Sequence, residues 1–235
     1  MKFNTNTTLG DIVTAYPNAA EVFNTHHIDY CCNGGDTLGK AIDAINLEED
    51  VIISELNDVV NRTVTADVTN WSDASMSDMV DYVVNRYHKR AYELIGEIQP
   101  LLSKIMRVHY ASHGEELLHL HHLYSLLLME LDEHFAKEEA SLFPQIKAFD
   151  LDKSDATLKA SVITEVLEAE SEHDAAGDLI KEIDAFTHHY VAPSDGCNSY
   201  KRTFLLMKEL EEDTFRHIHM ENSILFKHIL DTYQS

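Results

Sequence analysis

Four stretches of this chain repeat apolar residues at alternating steps of three and four, and one histidine interrupts each. The first runs Val80, Val84, His88, Ala91, Ile95, Ile98, Leu102, and the second Leu120, Tyr124, Leu127, Leu131, His134, Glu138, Leu142. The third is Val162, Val166, Ala169, His173, Ala176, Ile180, Ile183, and the fourth Met207, Leu210, Thr214, His217, Glu221, Ile224. That spacing is one face of an α-helix. Only 8 Gly and 4 Pro occur in 235 residues, which suits long helices and disfavours a turn-rich β fold. Ser75-Met76-Ser77-Asp78 reads as a capping box opening the first helix. Pro100 is expected to kink that helix, which is expected to fray near His109 to Gly114. The third helix opens at Ser154 and the fourth after Pro193-Ser194-Asp195-Gly196. Four such helices joined by short breaks predict an all-α protein, an antiparallel up-and-down four-helix bundle.

A single seam histidine is usually a satisfied core residue. Here all four seams carry one, in a chain with 15 histidines. Two of them, His134 and His217, are followed four residues on by Glu138 and Glu221, each pair trailed by Leu-Phe. Positions i and i+4 share a helix face, about 5–6 Å apart at Cβ. Counted from the turns, the four histidines lie about 18 to 24 residues in, so at about 1.5 Å per residue they share a level to within a turn or two. Two carboxylates and four imidazoles in an apolar core are costly to bury without a partner, and a metal pair removes that cost. Nitrogen and oxygen donors without thiolate fit iron or manganese, with zinc possible. Glu138 and Glu221 are expected to bridge two ions about 3.5–4 Å apart, with His88, His134, His173 and His217 terminal, two per ion. Glu130 and Glu172 read either as carboxylates that orient a ligand or line an access path, or as solvated acids. A ferritin-like site needs two Glu-x-x-His pairs, and Glu170 to His173 supplies one. His109, His113, His119, His121, His122, His188, His189, His219 and His228 are read as surface residues, and Cys197 as a packed small residue.

The first sixty residues break into short helical pieces at Leu9–Ala15, Asn18–His26, Leu38–Ile45 and Glu48–Leu56, with Thr8 and Asn18 as caps. Between the second and third pieces, Asp29-Tyr30-Cys31-Cys32-Asn33-Gly34-Gly35 reads as a tight loop whose Asn-Gly-Gly requires positive φ. Adjacent cysteines bridge each other only through a strained ring, so Cys31 and Cys32 read as a redox-active or metal-handling pair, with His26 or His27 lowering a thiol pKa. The bland alternative is two buried small apolar side chains. The expected organisation is a small helical domain over residues 1–60, a linker over 61–75 and the bundle over 76–235.

Acidic residues outnumber basic ones 41 to 18, a formal net charge of -23. Such a surface repels phosphate backbones and anionic lipid, so neither nucleic acid nor membrane is an expected partner. Three cysteines do not make a secreted disulfide framework, and the N-terminus lacks an apolar signal core. A reducing cytoplasm is the expected address.

Over nearly its whole length the chain resembles the iron–sulfur cluster repair di-iron proteins of the hemerythrin-like fold. The resemblance rests on the Asp29 to Gly35 loop, on Glu170-Ser171-Glu172-His173-Asp174-Ala175-Ala176-Gly177, and on Lys137-Glu138-Glu139 followed by Leu142-Phe143-Pro144. It implies a non-haem centre of two iron ions held by His88, His134, Glu138, His173, His217 and Glu221, the set the seams yield. It also implies a bacterial stress protein, often a homodimer, that restores clusters damaged by nitric oxide or peroxide, with damaged iron–sulfur proteins as clients. One departure is Lys227 after Leu225-Phe226, where the family usually has Pro. Repair, by supplying iron or electrons with Cys31 and Cys32 assisting, is the leading expectation. The alternatives are a carrier or sensor of oxygen or nitric oxide, a di-iron nitric oxide reductase, and a bundle with coincidental histidines. A plain oxygen carrier favours an asymmetric site with five histidines, against the four counted here.

Overall fold

The computed structural model of the protein describes residues 3–62 and 71–233. Among these residues the structure is helical, with one isolated bridge between Thr8 and Thr37 and no strand. Residues 63–70, most of the linker expected at 61–75, lie outside the described residues. The chain divides into two compact units, Met76–Thr214 and a second made of Met1–Ser75 with Phe215–Ser235.

In the second unit, short helices α1 (Leu9–Ala15), α2 (Ala19–Thr25), α3 (Leu38–Ile45) and α4 (Glu49–Arg62) gather around Phe23, Tyr30, Leu38, Ile52 and Leu56, all buried. Thr8 caps α1 by accepting from the Asp11 amide at 3.2 Å, as its spacing predicts. Asn18 makes no side-chain cap bond to α2, because it already stands in helical geometry at φ -74, ψ -11. Ile218, from the far end of the chain, belongs to this same core.

The other unit is a helical bundle. Its first rod is α5 (Met76–Tyr82), a π-helical turn at Val83–His88, and α6 (Lys89–Lys137), which doubles back on itself. In place of the fraying expected near His109 to Gly114 there is a one-residue break within that stretch. The helix continues through Pro100 to one non-helical residue, His113 (φ -133, ψ 24), held by Glu116 and Asp195 at 2.9 Å each. Beyond it, α6 leads into a π-turn at Glu138–Leu142 and then α7 (Phe143–Leu151), with Pro144 in the first turn, where its missing N–H costs nothing. The third rod, α8 (Ala156–Phe186), is capped by Asp155 rather than Ser154, its carboxylate accepting from the Thr157 and Leu158 amides. The fourth, α9 (Asn198–His219), belongs to this unit as far as Thr214, and the chain then runs on through a π-turn at Met220–Phe226 into α10 (Lys227–Tyr233), which belong to the second unit.

The third stripe is buried residue for residue from Val162 to Ile183. The first is not. Val83 and Leu94 are buried in place of the expected Val84 and Ile95, and likewise Leu225 rather than Ile224 in the fourth. Each slip is a step of one position on the same apolar face, since Ala91, Ile98 and Leu102 stay buried as expected.

Candidate metal centre and thiol loop

The three π-turns among the described residues each carry a predicted ligand: His88 closes the first, Glu138 opens the second, and Glu221 lies in the third. Such turns are rare and gather at functional sites. A π-turn lets one side chain leave the helical ladder and point where a regular helix would not aim it.

In the bundle unit His88, His134, Glu138 and His173 are all buried, at 1%, 6%, 1% and 2% exposure. Glu138 Oε2 lies 3.3 Å from both His88 Nε2 and His134 Nε2. His134 Nε2 is in turn 3.0 Å from His173 Nε2. Two imidazole nitrogens about 3.0 Å apart suit neighbouring positions on one ion, because metal–nitrogen bonds of about 2.1 Å at right angles give that separation. The opposite ring nitrogens are held as well. His88 Nδ1 meets Glu139 Oε1 at 2.8 Å, and His134 Nδ1 meets Glu172 Oε2 at 2.9 Å. A carboxylate on Nδ1 fixes the tautomer that leaves Nε2 as donor to a metal. Lys137 holds Glu172 from outside at 2.6 Å and keeps its carboxyl below the usual range. Phe135 stacks on His88 with ring centres 4.2 Å apart. A cavity of about 270 Å³ reaches Glu138 and is walled by Lys137, Ser141, Glu165, Glu168 and Glu172.

In the other unit His217 and Glu221 are buried, and His217 Nε2 lies 3.0 Å from Glu221 Oε1. The six residues read from the seams thus fall into two buried sets of one chemistry, imidazole Nε2 against carboxylate. The donors suit a pair of iron or manganese ions.

Of the two acids expected around the ligands, Glu172 orients His134, while Glu130 is exposed. Glu139 escapes the sequence reading. Its only signal there is adjacency to Glu138, and it reaches His88 from within the π-turn that Glu138 opens. His219, expected at the surface, is buried between Tyr30, at 5.8 Å between rings, and Thr14 Oγ1 at 3.4 Å, and burial pushes its pKa down to about 4. Cys197 is exposed rather than packed, and His109 with the Tyr200 and Ser199 amides lowers its thiol to about 7.

Cys31 is buried and Cys32 half-buried, and neither is in a disulfide. The thiol chemistry differs from expectation. Cys31 is pushed well up by burial and by the neighbouring Cys32 and Asp29, while His26 is paired with Glu55. The loop's glycines also differ, since no described glycine has positive φ. Gly34 is required by close approach instead: a Cβ there would lie 2.9 Å from Tyr30 O and from Ser223 Oγ. Positive φ falls on His27 at 52°. Asp29 organises the turn, its Oδ1 accepting from the Cys31 and Cys32 amides at 3.2 and 3.0 Å and its Oδ2 from Asn33 Nδ2 at 2.8 Å. Asn222, beside Glu221, donates to the Cys31 carbonyl at 3.4 Å. Lys227, the departure from the family pattern, ties α10 to Asp11 at 2.9 Å.

The hemerythrin HHE cation-binding domain model matches residues 79–229, and the ScdA_N model, a domain of unknown function, matches residues 5–60. The iron–sulfur cluster repair protein YtfE of Escherichia coli O81 (strain ED1a) is 32% identical over 222 residues, 94% of this chain and 96% of its own. YtfE of Escherichia fergusonii matches at the same identity and coverage. The chain belongs to the YtfE-type iron–sulfur cluster repair family. For this family member, no helix among the described residues is long and apolar enough to cross a membrane.

Proposed function

We propose that this protein repairs iron–sulfur clusters damaged by nitrosative or oxidative stress, from a centre of two iron ions. His88, His134, His173 and His217 hold the ions at terminal positions, and Glu138 and Glu221 bridge them. The observation that carries the reading is the doubly supported carboxylate: Glu138 between two imidazole Nε2 atoms whose Nδ1 atoms rest on Glu139 and Glu172. The family model spanning 79–229 covers all six residues and describes cation binding, and the relatives named above are repair proteins.

When bound, the iron pair supplies labile iron or electrons to the client. The chain's own residues do the rest. Glu139 and Glu172 keep the Nδ1 protons of His88 and His134 in place, so both rings donate through Nε2. Phe135 shields His88 from water. The cavity at Glu138, with three further glutamates in its wall, offers a cation a negatively charged path. Cys31 and Cys32 assist delivery or redox cycling. The clients are damaged iron–sulfur proteins met in a reducing cytoplasm, and the working form is a homodimer.

The test is reactivation of a nitric-oxide-treated cluster enzyme by iron-loaded protein, with apo-protein as control. Recovery only with the loaded form is expected. Equal recovery with apo-protein, or anaerobically purified protein holding well under one iron per chain, would overturn the reading.

A further inference from the structure

We propose that Asp29, Cys31 and Cys32 form a second, mononuclear metal site in the thiol loop. It takes a thiolate-seeking divalent ion, ferrous iron in the repair reading above. Only the identity of the ion rests on that reading; the site stands on the loop's own geometry.

One carboxylate oxygen and the two sulfur atoms lie within 4.8 Å of one another. The sulfurs are 3.7 Å apart. A disulfide needs about 2.05 Å, whereas two thiolates on one tetrahedral ion, each about 2.3 Å from it, stand about 3.8 Å apart. The pair is already spaced for a shared metal. Cys31 Sγ is 3.3 Å from Asp29 Oδ1, where the thiol proton now bridges sulfur and carboxylate. A metal ion replaces that proton. Binding converts two S–H groups to thiolates and releases two protons, and the ion's two positive charges offset the two negative charges created.

The structural alternative is that Asp29 serves only to fold the turn, since it accepts the amides of Cys31, Cys32 and, at 3.4 Å, Asn33. Those bonds hold the carboxylate beside both sulfurs, so turn and ligand roles coincide. A three-ligand site also needs an open side for a fourth ligand. Cys31 is buried, but Cys32 is only half-buried and is followed by exposed Asn33, and a Cβ built on exposed Gly35 meets nothing within 4 Å. On its other side the loop is fixed to the π-turn bearing Glu221. Asn222 holds the Cys31 carbonyl, and Gly10 and Gly34 leave room only for Ser223. An ion in the loop is thus held against the turn that carries Glu221, Asn222 and Ser223.

The experiment is an anaerobic cobalt(II) titration of reduced, full-length protein carrying Cys197→Ser with iron already bound in the bundle, followed by the thiolate-to-cobalt charge-transfer absorption. The bundle ligands hold no sulfur, so this band reports the loop alone. One cobalt per chain with the band, and about two protons released per ion, is expected. Cys31→Ser and Cys32→Ser should each lower the band and weaken binding at least about tenfold. Asp29→Asn, which keeps an oxygen for the turn amides, should retain the band with affinity lowered about tenfold. Absence of the band at stoichiometric cobalt, a band unchanged in either serine variant, or an Asp29→Asn variant binding as tightly as its parent would each overturn the site. A loop that binds cobalt in a protein that reactivates no client would sink the repair reading and leave the loop site standing. Normal repair without the band would do the reverse.

Discussion

The bundle ligands and the thiol loop are two ways of presenting donor atoms. His88, His134, Glu138 and His173 project from long helices, are almost wholly removed from solvent, and rest on further carboxylates. Cys31 and Cys32 sit on a turn beside exposed Asn33 and Gly35, held by one aspartate and one asparagine. The first arrangement is rigid, with borderline nitrogen and oxygen donors, and suits retention. The second has soft donors, Cys31 buried and Cys32 half-buried, on a short turn whose next residues reach solvent, and suits exchange. A repair factor that moves iron needs both properties, and one site cannot maximise both.

The largest expected break in this comparison is Glu138→Ala. Removing the carboxylate shared by His88 and His134 should drop iron from the proposed two per chain to below one by metal analysis. Cys31→Ser with Cys32→Ser should leave that content unchanged while lowering reactivation to the apo-protein level. An equal loss of bundle iron in both proteins would erase the distinction drawn here.

Glu211 sharpens it from another side, as an acid in the bundle unit held by Tyr190 at 2.6 Å rather than by imidazoles. Burial, with Asp184 and Glu212 nearby, raises its pKa to about 7 from 4.5. A raised acid binds more protons folded than unfolded, so stability falls as pH rises. The penalty is absent below about 4.5, grows from there to about 7, and is full above it, at most about 3 kcal/mol. Glu211→Gln should therefore gain stability over wild type at pH 8 and lose that advantage at pH 4, by thermal melts at both values.

Next in size is Glu172→Gln. It keeps an oxygen for His134 Nδ1 but removes the charge, and should cost about 10- to 100-fold in metal affinity by competition with a chelator. Glu139→Gln should act similarly through His88. The smallest effect belongs to Gly34→Ala. The added Cβ meets Tyr30 O and Ser223 Oγ at 2.9 Å, so about 1–2 kcal/mol of stability should be lost in denaturant unfolding. Reactivation should fall with it, and bundle iron should not.

Much of this is legible in the sequence because helical period is a local property. The third stripe can be read residue by residue, and the Thr8 cap, the short N-terminal helices and the seam histidines likewise. The misreadings have local causes too. Steps of three and of four both stay on one helix face, so Val83 and Leu94 take the places expected of Val84 and Ile95 while Ala91 and Ile98 stay buried. His219 looks like a surface residue because its neighbours Thr14 and Tyr30 come from about two hundred positions earlier. Gly34 reads as a φ requirement, but the constraint is a backbone passing too close for a Cβ.

By itself the sequence determined the helical class, the histidine and glutamate positions, and the pairing of a Cys-Cys loop with a histidine-rich bundle. All are set by periodicity and composition within a few turns of chain. Only the tertiary structure decided that Glu139 and Glu172 hold the imidazoles, that Asp29 gathers both thiols, and that this loop is fastened to Asn222 and Ser223. Those are contacts between side chains brought together by packing, and no spacing rule along the chain encodes them.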